Sequence, residues 1–232
     1  MRRSRIVLDL VICCLLTFAS AKVAWSFPMP HEATVRELIP LASWQKQFRI
    51  TEGKDRGRVV PLISQPDLTN EKRWKIIFGD YAAIHVVRGS DGALMMERLD
   101  LIKNHSYIVY EPALPIMPAN INSSDVMRRE TEYRMYNLET GKLKRGGRVT
   151  HLLKPPSYSQ FDTPAGLFEG YYVEMDHLMD MEYRSQLHLT MGFGYRLNEG
   201  PVYASGHYTM TKLGVFTATK AAGAALLSDD FR

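Results

Sequence analysis

The clearest pattern in the sequence is a pair of alternating apolar and polar runs between Gln186 and Lys212. Successive side chains of a β-strand point to opposite faces, so this spacing predicts a hairpin with one apolar and one polar face. The turn between the runs is NEGP, and we expect a register in which Leu189 lies opposite Met210. The proposed apolar surface consists of Leu187, Leu189, Met191, Phe193, Tyr195, Tyr208 and Met210.

This apolar face needs a cover, because each large apolar side chain contributes about 1.5–3 kcal/mol when it leaves water. The protein's own core is one such cover. A bound molecule is the other, provided that the sheet is curved and that its concave side is partly open. In the second case the face forms the binding site for a lipid-like ligand or for a hydrophobic envelope partner.

The remainder of the chain also favours β-structure. From Trp74 onward, short apolar runs are separated by turn signals such as GSDG and ETG. They predict nine or ten strands between about residues 73 and 216 without intervening helices, and therefore an antiparallel sheet. The expected fold class is mainly β, with a single curved antiparallel sheet that forms a half-barrel or an open barrel.

Short helices are predicted at both ends of this sheet. Apolar residues recur at helical spacing over Val35–Ala42, and Pro40 interrupts them. We therefore expect a helical lead-in over about residues 31–48, in two pieces that end and begin near the proline. The Ala-rich tail, residues 217–232, is expected to be a short helix against the sheet or a frayed end.

The first residues have the organisation of a secretory signal peptide. MRRSR provides a basic start, Leu10–Ala19 provides a short apolar run, and Ala19–Ala21 provides small residues for cleavage. A permanent membrane anchor would need about 20 apolar residues. We expect residues 1–21 to be removed, which leaves residues 22–232 as a single β-rich domain in the periplasm or outside the cell.

Cleavage would change both the charge and the thiol content. The predicted leader holds three arginines and Asp9, so its loss lowers the net charge from +4 to +2. This small charge gives little support to a nucleic-acid partner. Cys13 and Cys14, the two cysteines, would leave with the leader. The mature chain would then have no thiol for a disulfide, a zinc–thiolate centre or a cysteine nucleophile, and we expect no cofactor.

A second dense pattern, EMDHLMDME, spans Glu174–Glu182. In an extended strand, the carboxylates of this segment share one face, and the opposite face combines thioethers with an imidazole, which are ligands suited to copper(I). A periplasmic copper-type binding protein is therefore an alternative function, although neighbours on one face lie about 7 Å apart and could not all reach one ion without a bend. The competing interpretation is a strand with methionine as core filler. The candidate metal ligands are Met175, His177, Met179 and Met181.

No catalytic residue can be assigned. The sequence has no G-x-S-x-G, H-E-x-x-H or C-x-x-C motif. Carboxylates such as Glu97, Asp100 and Glu132 could meet in space for acid–base work, which leaves a hydrolase or isomerase as a further alternative without an assigned site. A non-catalytic role is the favoured prediction.

A basic segment, KLKRGGR, lies beside the predicted ETG turn. Such a run commonly forms a solvated strand edge that opposes aggregation. Its functional interpretation is peripheral contact with an anionic membrane surface or an acidic envelope polymer. The residues concerned are Lys142, Lys144, Arg145 and Arg148.

Two segments of the chain resemble a sequence pattern found in bacterial periplasmic domains of unknown function. They are DTPAGLFEGYYVE, residues 162–174, and the later GPVYASGHYTMTKL. In those domains a TPAG-F hairpin precedes a pair of strands, within curved sheets similar to lipoprotein-carrier half-barrels. The match covers about a fifth of the chain. The resemblance implies a half-barrel-like sheet, residence in the envelope, and lipid or lipoprotein handling.

Overall fold

The computed structural model describes residues 24–27, 32–121, 126–181, 185–212 and 215–230. The predicted leader, residues 1–21, lies outside this part of the chain. The described residues form one short helix, α1 (Val35–Leu38), a 3-10 turn (Ile102–Asn104) and sixteen strands. The strands are β1 (Ala24–Phe27), β2 (Ala33–Thr34), β3 (Trp44–Glu52), β4 (Val59–Asp67), β5 (Asn70–Phe78), β6 (Ala82–Arg88), β7 (Leu94–Leu101), β8 (Ser106–Met117), β9 (Asn120–Ile121), β10 (Met127–Asn137), β11 (Leu143–Leu153), β12 (Ser157–Thr163), β13 (Gly166–Met181), β14 (Ser185–Arg196), β15 (Gly200–Lys212) and β16 (Val215–Asp230).

Twelve of these strands close into an antiparallel β-barrel. Apart from β9 and β12, each strand from β3 onward pairs with the next one along the chain, and β16 returns to pair with β3. The closing register places Leu226 opposite Phe48 and Ala225 opposite Arg49. The expectation of a single curved sheet, as a half-barrel or open barrel, is therefore wrong, because no gap separates the first and last strands of the ring.

The sequence pattern did not predict the two strands that close the barrel, β3 and β16. Trp44–Glu52, expected to be partly helical, is the strand β3, in which buried and more exposed residues alternate. The tail, expected to be helical or frayed, is the strand β16, with partners on both sides. Alanine has low strand propensity, but two neighbouring strands provide β16 with hydrogen bonds that outweigh this preference.

One end of the barrel is covered by α1 and by the small sheet formed by β2 and β9. Thr34 caps α1 in a reciprocal capping box with Glu37, and the helix buries Val35 and Leu38. The N–H of Val35 donates to the carbonyl of Ala119, at 2.9 Å, which ties the helix to the chain after β8. We call this end the closed end. No helix in the described part of the chain is both long enough and apolar enough to span a membrane.

The hairpin of β14 and β15 forms where the alternation predicted it, but in a different register. Leu189 lies opposite Tyr208, not opposite Met210, which instead faces Leu187. The shift is two residues, so the pairs from Leu187 to Gly194 keep their predicted inward and outward positions. An irregularity between Gly194 and Tyr195 adds one more residue of shift near the turn, where Tyr195 lies opposite Pro201.

The segment between β11 and β13 contains the strand β12, which pairs with the first half of β13. This hairpin folds against the outside of the barrel, where Phe161 stacks on Tyr203 with ring centroids 5.7 Å apart. The N–H of Ala165 donates to the carbonyl of Leu226, at 3.1 Å. A β-carbon on Gly194 would approach the Phe161 ring to 2.6 Å, so the absence of a side chain there allows the contact.

Candidate functional site

The interior of the barrel contains a cavity of about 520 Å³. Barrel diameter grows with strand number, and about eight strands already enclose a space that side chains can fill or that holds one small ligand. Twelve strands therefore leave room beyond the side chains. The volume is within the range of about 300–1,000 Å³ that is common for small-molecule sites.

The cavity wall includes most of the apolar face predicted from the alternation. On β14, Leu187, Met191 and Tyr195 are buried, and Leu189 and Phe193 on the same face are partly buried. Met210 is buried in the adjoining core but does not line the cavity. The side chain of Tyr208 lies outside the described residues. The predicted residues that line the cavity are Leu187, Leu189, Met191, Phe193 and Tyr195.

The strand proposed as an alternative metal site lies next to this face. In the register of β13 with β14, His177 is opposite Leu189 and Met179 is opposite Leu187. The two predicted surfaces are therefore one continuous wall of the same cavity. All four predicted ligands, Met175, His177, Met179 and Met181, line the cavity.

The carboxylates of the same strand face outward. Asp176 accepts hydrogen bonds or ion-pair contacts from Thr190, from Lys154 at 3.3 Å and from His188 at 3.2 Å. Glu174 pairs with the same lysine. Glu182 lies outside the described residues. The described residues contain no group of three or more His, Asp or Glu side chains placed to hold a metal ion.

Methionine is prominent on the wall of the cavity. Its unbranched, polarisable side chain adapts to ligands of different shape, and methionine-rich surfaces accordingly serve promiscuous binding sites. The cavity-lining methionines come from strands around the ring. They are Met96, Met117, Met135, Met175, Met179, Met181 and Met191.

A pair of buried histidines forms the polar part of the middle of this wall. His151 on β11 lies opposite His177 on β13, with ring centroids 4.8 Å apart in an edge-to-face arrangement. The Nε2–H of His151 donates to the carbonyl of Ile116 at 3.0 Å, which leaves Nδ1 as the acceptor of the neutral ring. In the described part of the chain, neither that Nδ1 nor the Nε2 of His177 has a hydrogen-bond partner.

Burial keeps both rings neutral. It lowers the pKa of His151 to about 4 and that of His177 to about 3, where the neighbouring imidazole adds a smaller effect in the same direction. His151 was not predicted as part of any site. The signal was available, since His151 alternates with Val149 and Leu153 on one apolar face of the sequence.

The end opposite α1, which we call the open end, carries the charged side chains that line the cavity: Glu52, Lys54, Asp55 and Arg145. Lys54 is exposed to solvent, so the cavity reaches water here. Asp55 accepts hydrogen bonds from the hydroxyl of Tyr81 at 2.6 Å and from Lys103 at 2.9 Å, and these bonds lower its pKa.

Glu52 is only 7% exposed, and its Oε2 has no hydrogen-bond partner among the described residues. Burial raises the pKa of this carboxyl group, and the cation of Arg56 offsets part of that effect. The neutral, protonated form of Glu52 is therefore favoured relative to an exposed glutamate, and in that form its carboxyl group can donate a hydrogen bond.

The predicted basic surface is divided between the two sides of the barrel wall. Lys144 donates to the carbonyl of His105 at 3.1 Å and to the hydroxyl of Ser106 at 2.6 Å on the outside, while Lys142 and Arg148 are exposed. Arg145, in contrast, is half-buried and lines the cavity. Arg145 therefore lies on the opposite side of β11 from Lys144, because alternation along the strand turns it inward.

The carboxylates considered for acid–base chemistry have separate environments. Glu97 pairs with Arg73 at 2.6 Å, and Asp100 contacts His85 at 2.9 Å and Arg98 at 2.5 Å. Glu132 is exposed, opposite Glu111 on the next strand. The three predicted carboxylates therefore do not form one cluster in the described structure, and only Asp100 among them contacts a histidine.

Solved structures similar to this chain come from bacterial proteins. The hypothetical lipoprotein YmcC from Escherichia coli (K12) has a TM-score of 0.45 at 9% identity, over 85% of this chain and 92% of that one. A protein described as a lipoprotein, from Parabacteroides distasonis, has a TM-score of 0.39 at 14% identity, over 86% of this chain and 100% of that one. A protein described as exported and YmcC-like in fold, from Bacteroides fragilis, has a TM-score of 0.33 at 11% identity, over 81% and 94%.

These likenesses are weak, and they do not confirm the resemblance to domains with a TPAG-F hairpin. No protein-family model matches the chain, and no curated protein sequence matches it.

Proposed function

We propose that this protein is an exported, non-catalytic binding protein of the cell envelope that holds a lipid-like molecule inside its barrel. The single observation that carries this proposal is the apolar interior cavity of about 520 Å³. The binding surface is thus the inside of a closed barrel and not the concave face of an open sheet.

The packing density expected of a protein interior supports the binding of an apolar ligand in this cavity. Protein interiors are normally packed as densely as organic crystals, with few voids larger than a water molecule. An apolar side chain that faces a cavity gains dispersion contacts when an apolar molecule lies against it. An alkyl chain inside the barrel would provide such contacts to residues such as Phe193 and Met191.

Two further features agree with carriage of an apolar molecule in the envelope. The leader predicted over residues 1–21 would direct the chain out of the cytoplasm. The cavity opens to solvent at one end, near Lys54, while α1 covers the other end. A molecule could therefore enter and leave along the barrel axis without unfolding of the wall.

The proposal is tested with the purified mature chain, residues 22–232. Native mass spectrometry and solvent extraction would identify co-purified apolar molecules, and a fluorescent fatty acid would measure uptake after extraction. Ala204 lines the cavity, so Ala204→Phe should fill part of it and reduce uptake. Thr209→Phe adds the same ring on the outer face of the same strand and should bind as the wild type does.

Circular dichroism would establish that both variants keep the β-fold of the wild type. Wild-type protein that carries no apolar molecule and takes up no fluorescent fatty acid would refute the proposed function. Equal uptake by the two variants would place the ligand elsewhere on the molecule.

A further inference from the structure

We infer that the open end of the cavity is a head-group site, and that the ligand is an anionic amphiphile which lies with its alkyl tail toward the closed end. This inference rests on the proposed function and specifies the chemistry of the ligand. The shared feature required of the head group is a carboxylate or a phosphate, which Arg145 would pair with.

Arg145 is the first element of this site. Its side chain is half-buried and lines the cavity, and on β11 it lies opposite Met135 of β10. Among the residues that the structure describes, it has no hydrogen-bond or ion-pair partner. A guanidinium group binds carboxylate and phosphate through two parallel hydrogen bonds, and such bonds are stronger where water is partly excluded. The geometry therefore leaves a cation at the cavity mouth that an anionic group can use.

Glu52 is the second element, at the same end on the other side of the ring. Its carboxyl group is nine-tenths buried and aimed into the cavity, and Oε2 has no partner in the described part of the chain. A buried polar atom without a partner is costly, so a ligand that supplies the missing hydrogen bond would be favoured. In its protonated form Glu52 can donate a hydrogen bond to an oxygen of a ligand that lies at this end.

The charges at the open end determine whether a cationic or an anionic head group is favoured. The carboxylate of Asp55 is already neutralised by Lys103, at 2.9 Å. Arg145 lines the same end and has no ion-pair partner among the described residues, so it adds a positive charge there, while burial favours the neutral form of Glu52. A cationic amphiphile would be repelled by Arg145, which is why an anion is favoured.

The closed end determines the direction in which the ligand lies. The cavity there is lined by apolar residues, including Ile39, Trp44 and Met117. Each of the four charged residues that line the described cavity belongs to the open end. A charged head group at the closed end would have no compensating partner, so the tail occupies that end.

The test uses ligands that share one oleyl chain and differ only in their head group. Oleate and oleoyl lysophosphatidate carry the anion, oleyl alcohol is neutral, and oleylamine is cationic. Each would displace a neutral fluorescent probe, N-phenylnaphthylamine, from the mature protein. The matched variants are Arg145→Gln and Arg148→Gln, which remove the same group from the inside and the outside of β11.

We expect the anionic ligands to bind the wild type more tightly than the alcohol, and the amine to bind least tightly. Arg145→Gln should weaken an anionic ligand by about 10- to 100-fold and leave the alcohol unchanged, since it removes a charge-assisted hydrogen bond. Arg148→Gln should bind as the wild type does. The stronger of oleate and lysophosphatidate would identify a carboxylate or a phosphate as the natural head group.

Probe binding that is displaced equally well by all four ligands would overturn the head-group site and leave the proposed function standing. An unchanged affinity for the anions in Arg145→Gln would also overturn it. Wild-type protein that binds neither the probe nor the fluorescent fatty acid would instead refute the proposed function. If Arg145→Gln does not fold, the order of the four ligands on the wild type decides the question alone.

Discussion

Lowering the pH from 7.5 to 5.0 should destabilise this protein through its two buried histidines. The folded-state pKa is about 4 for His151 and about 3 for His177. In the unfolded chain both imidazoles titrate near the model-peptide pKa of about 6.5. The folded-state pKa values are therefore depressed, so the stabilising contribution is fully present above about pH 6.5 and is lost as the pH falls toward the folded values.

The magnitude follows from the protons bound by each state. A solution at pH 5.0 is about 1.5 units below the pKa of an imidazole in the unfolded chain, and each unit corresponds to about 1.4 kcal/mol of free energy. The folded protein keeps His151 and His177 largely neutral at that pH, so each ring should cost about 2 kcal/mol. The pair should therefore lower the free energy of unfolding by about 4 kcal/mol, a large part of the 5–15 kcal/mol that is typical of a domain.

Urea unfolding at pH 7.5, 6.5 and 5.0 would measure this loss on protein from which bound apolar molecules have been extracted. His177→Leu removes one of the two rings, so its loss over this range should be smaller than that of the wild type by about 2 kcal/mol. His188→Gln is the matched control, since His188 is exposed on the outside of β14. An equal loss in the wild type and in His177→Leu would refute the assignment of this pH dependence to the buried pair.

Two further predictions concern Glu52 and Gly194. The pKa of Glu52 is raised in the folded protein, so the contribution of this group to stability is present at low pH and is lost as the pH rises through the folded pKa. Glu52→Gln should therefore stabilise the extracted protein by roughly 1 kcal/mol at pH 8, but should not stabilise it at pH 4. Urea unfolding at both pH values would check this, and an equal effect at each would contradict it. Gly194→Ala should destabilise the protein by roughly 1–3 kcal/mol, because its β-carbon would meet the ring of Phe161. Thermal unfolding would detect this loss of stability. Adding Phe161→Leu to the Gly194→Ala variant should make the loss smaller. A Gly194→Ala protein that is as stable as the wild type would contradict the contact between residue 194 and Phe161.

The sequence predicted those strands whose two faces differ in polarity. β14 is the clearest case, since its apolar residues occupy every second position and all face inward. β3 was missed because Lys46 interrupts its apolar row, although the structure buries that lysine completely. β4 was missed because Pro61 and Pro66 are unusual within a strand. In both segments, local chemistry opposed the conformation that the barrel imposes.

The candidate site was predicted only in part, for a related reason. β13 and β14 follow one another along the chain, so alternation within each strand was enough to group Met191 with the apolar face of β14 and His177 with the methionine face of β13. Glu52 belongs to the cavity only because β3 pairs with β16, a contact between strands far apart in the sequence. Arg145 appears in the sequence as one of several cations in a run. Its separation from them required knowledge of which residue of β11 faces inward.

Closure of the barrel also changes what the apolar face means. In an open sheet, the row of large side chains on β14 would be exposed to water unless a partner molecule covered it. In a closed barrel the opposite wall provides that cover, and the space between the walls depends on side-chain volume. Small residues line the wall across from Phe193 and beyond it, at Ala204, Ala222 and Ala224. Large residues at these three positions would fill the interior, so the cavity follows from where alanine occurs on β15 and β16 and not from the alternation on β14 alone.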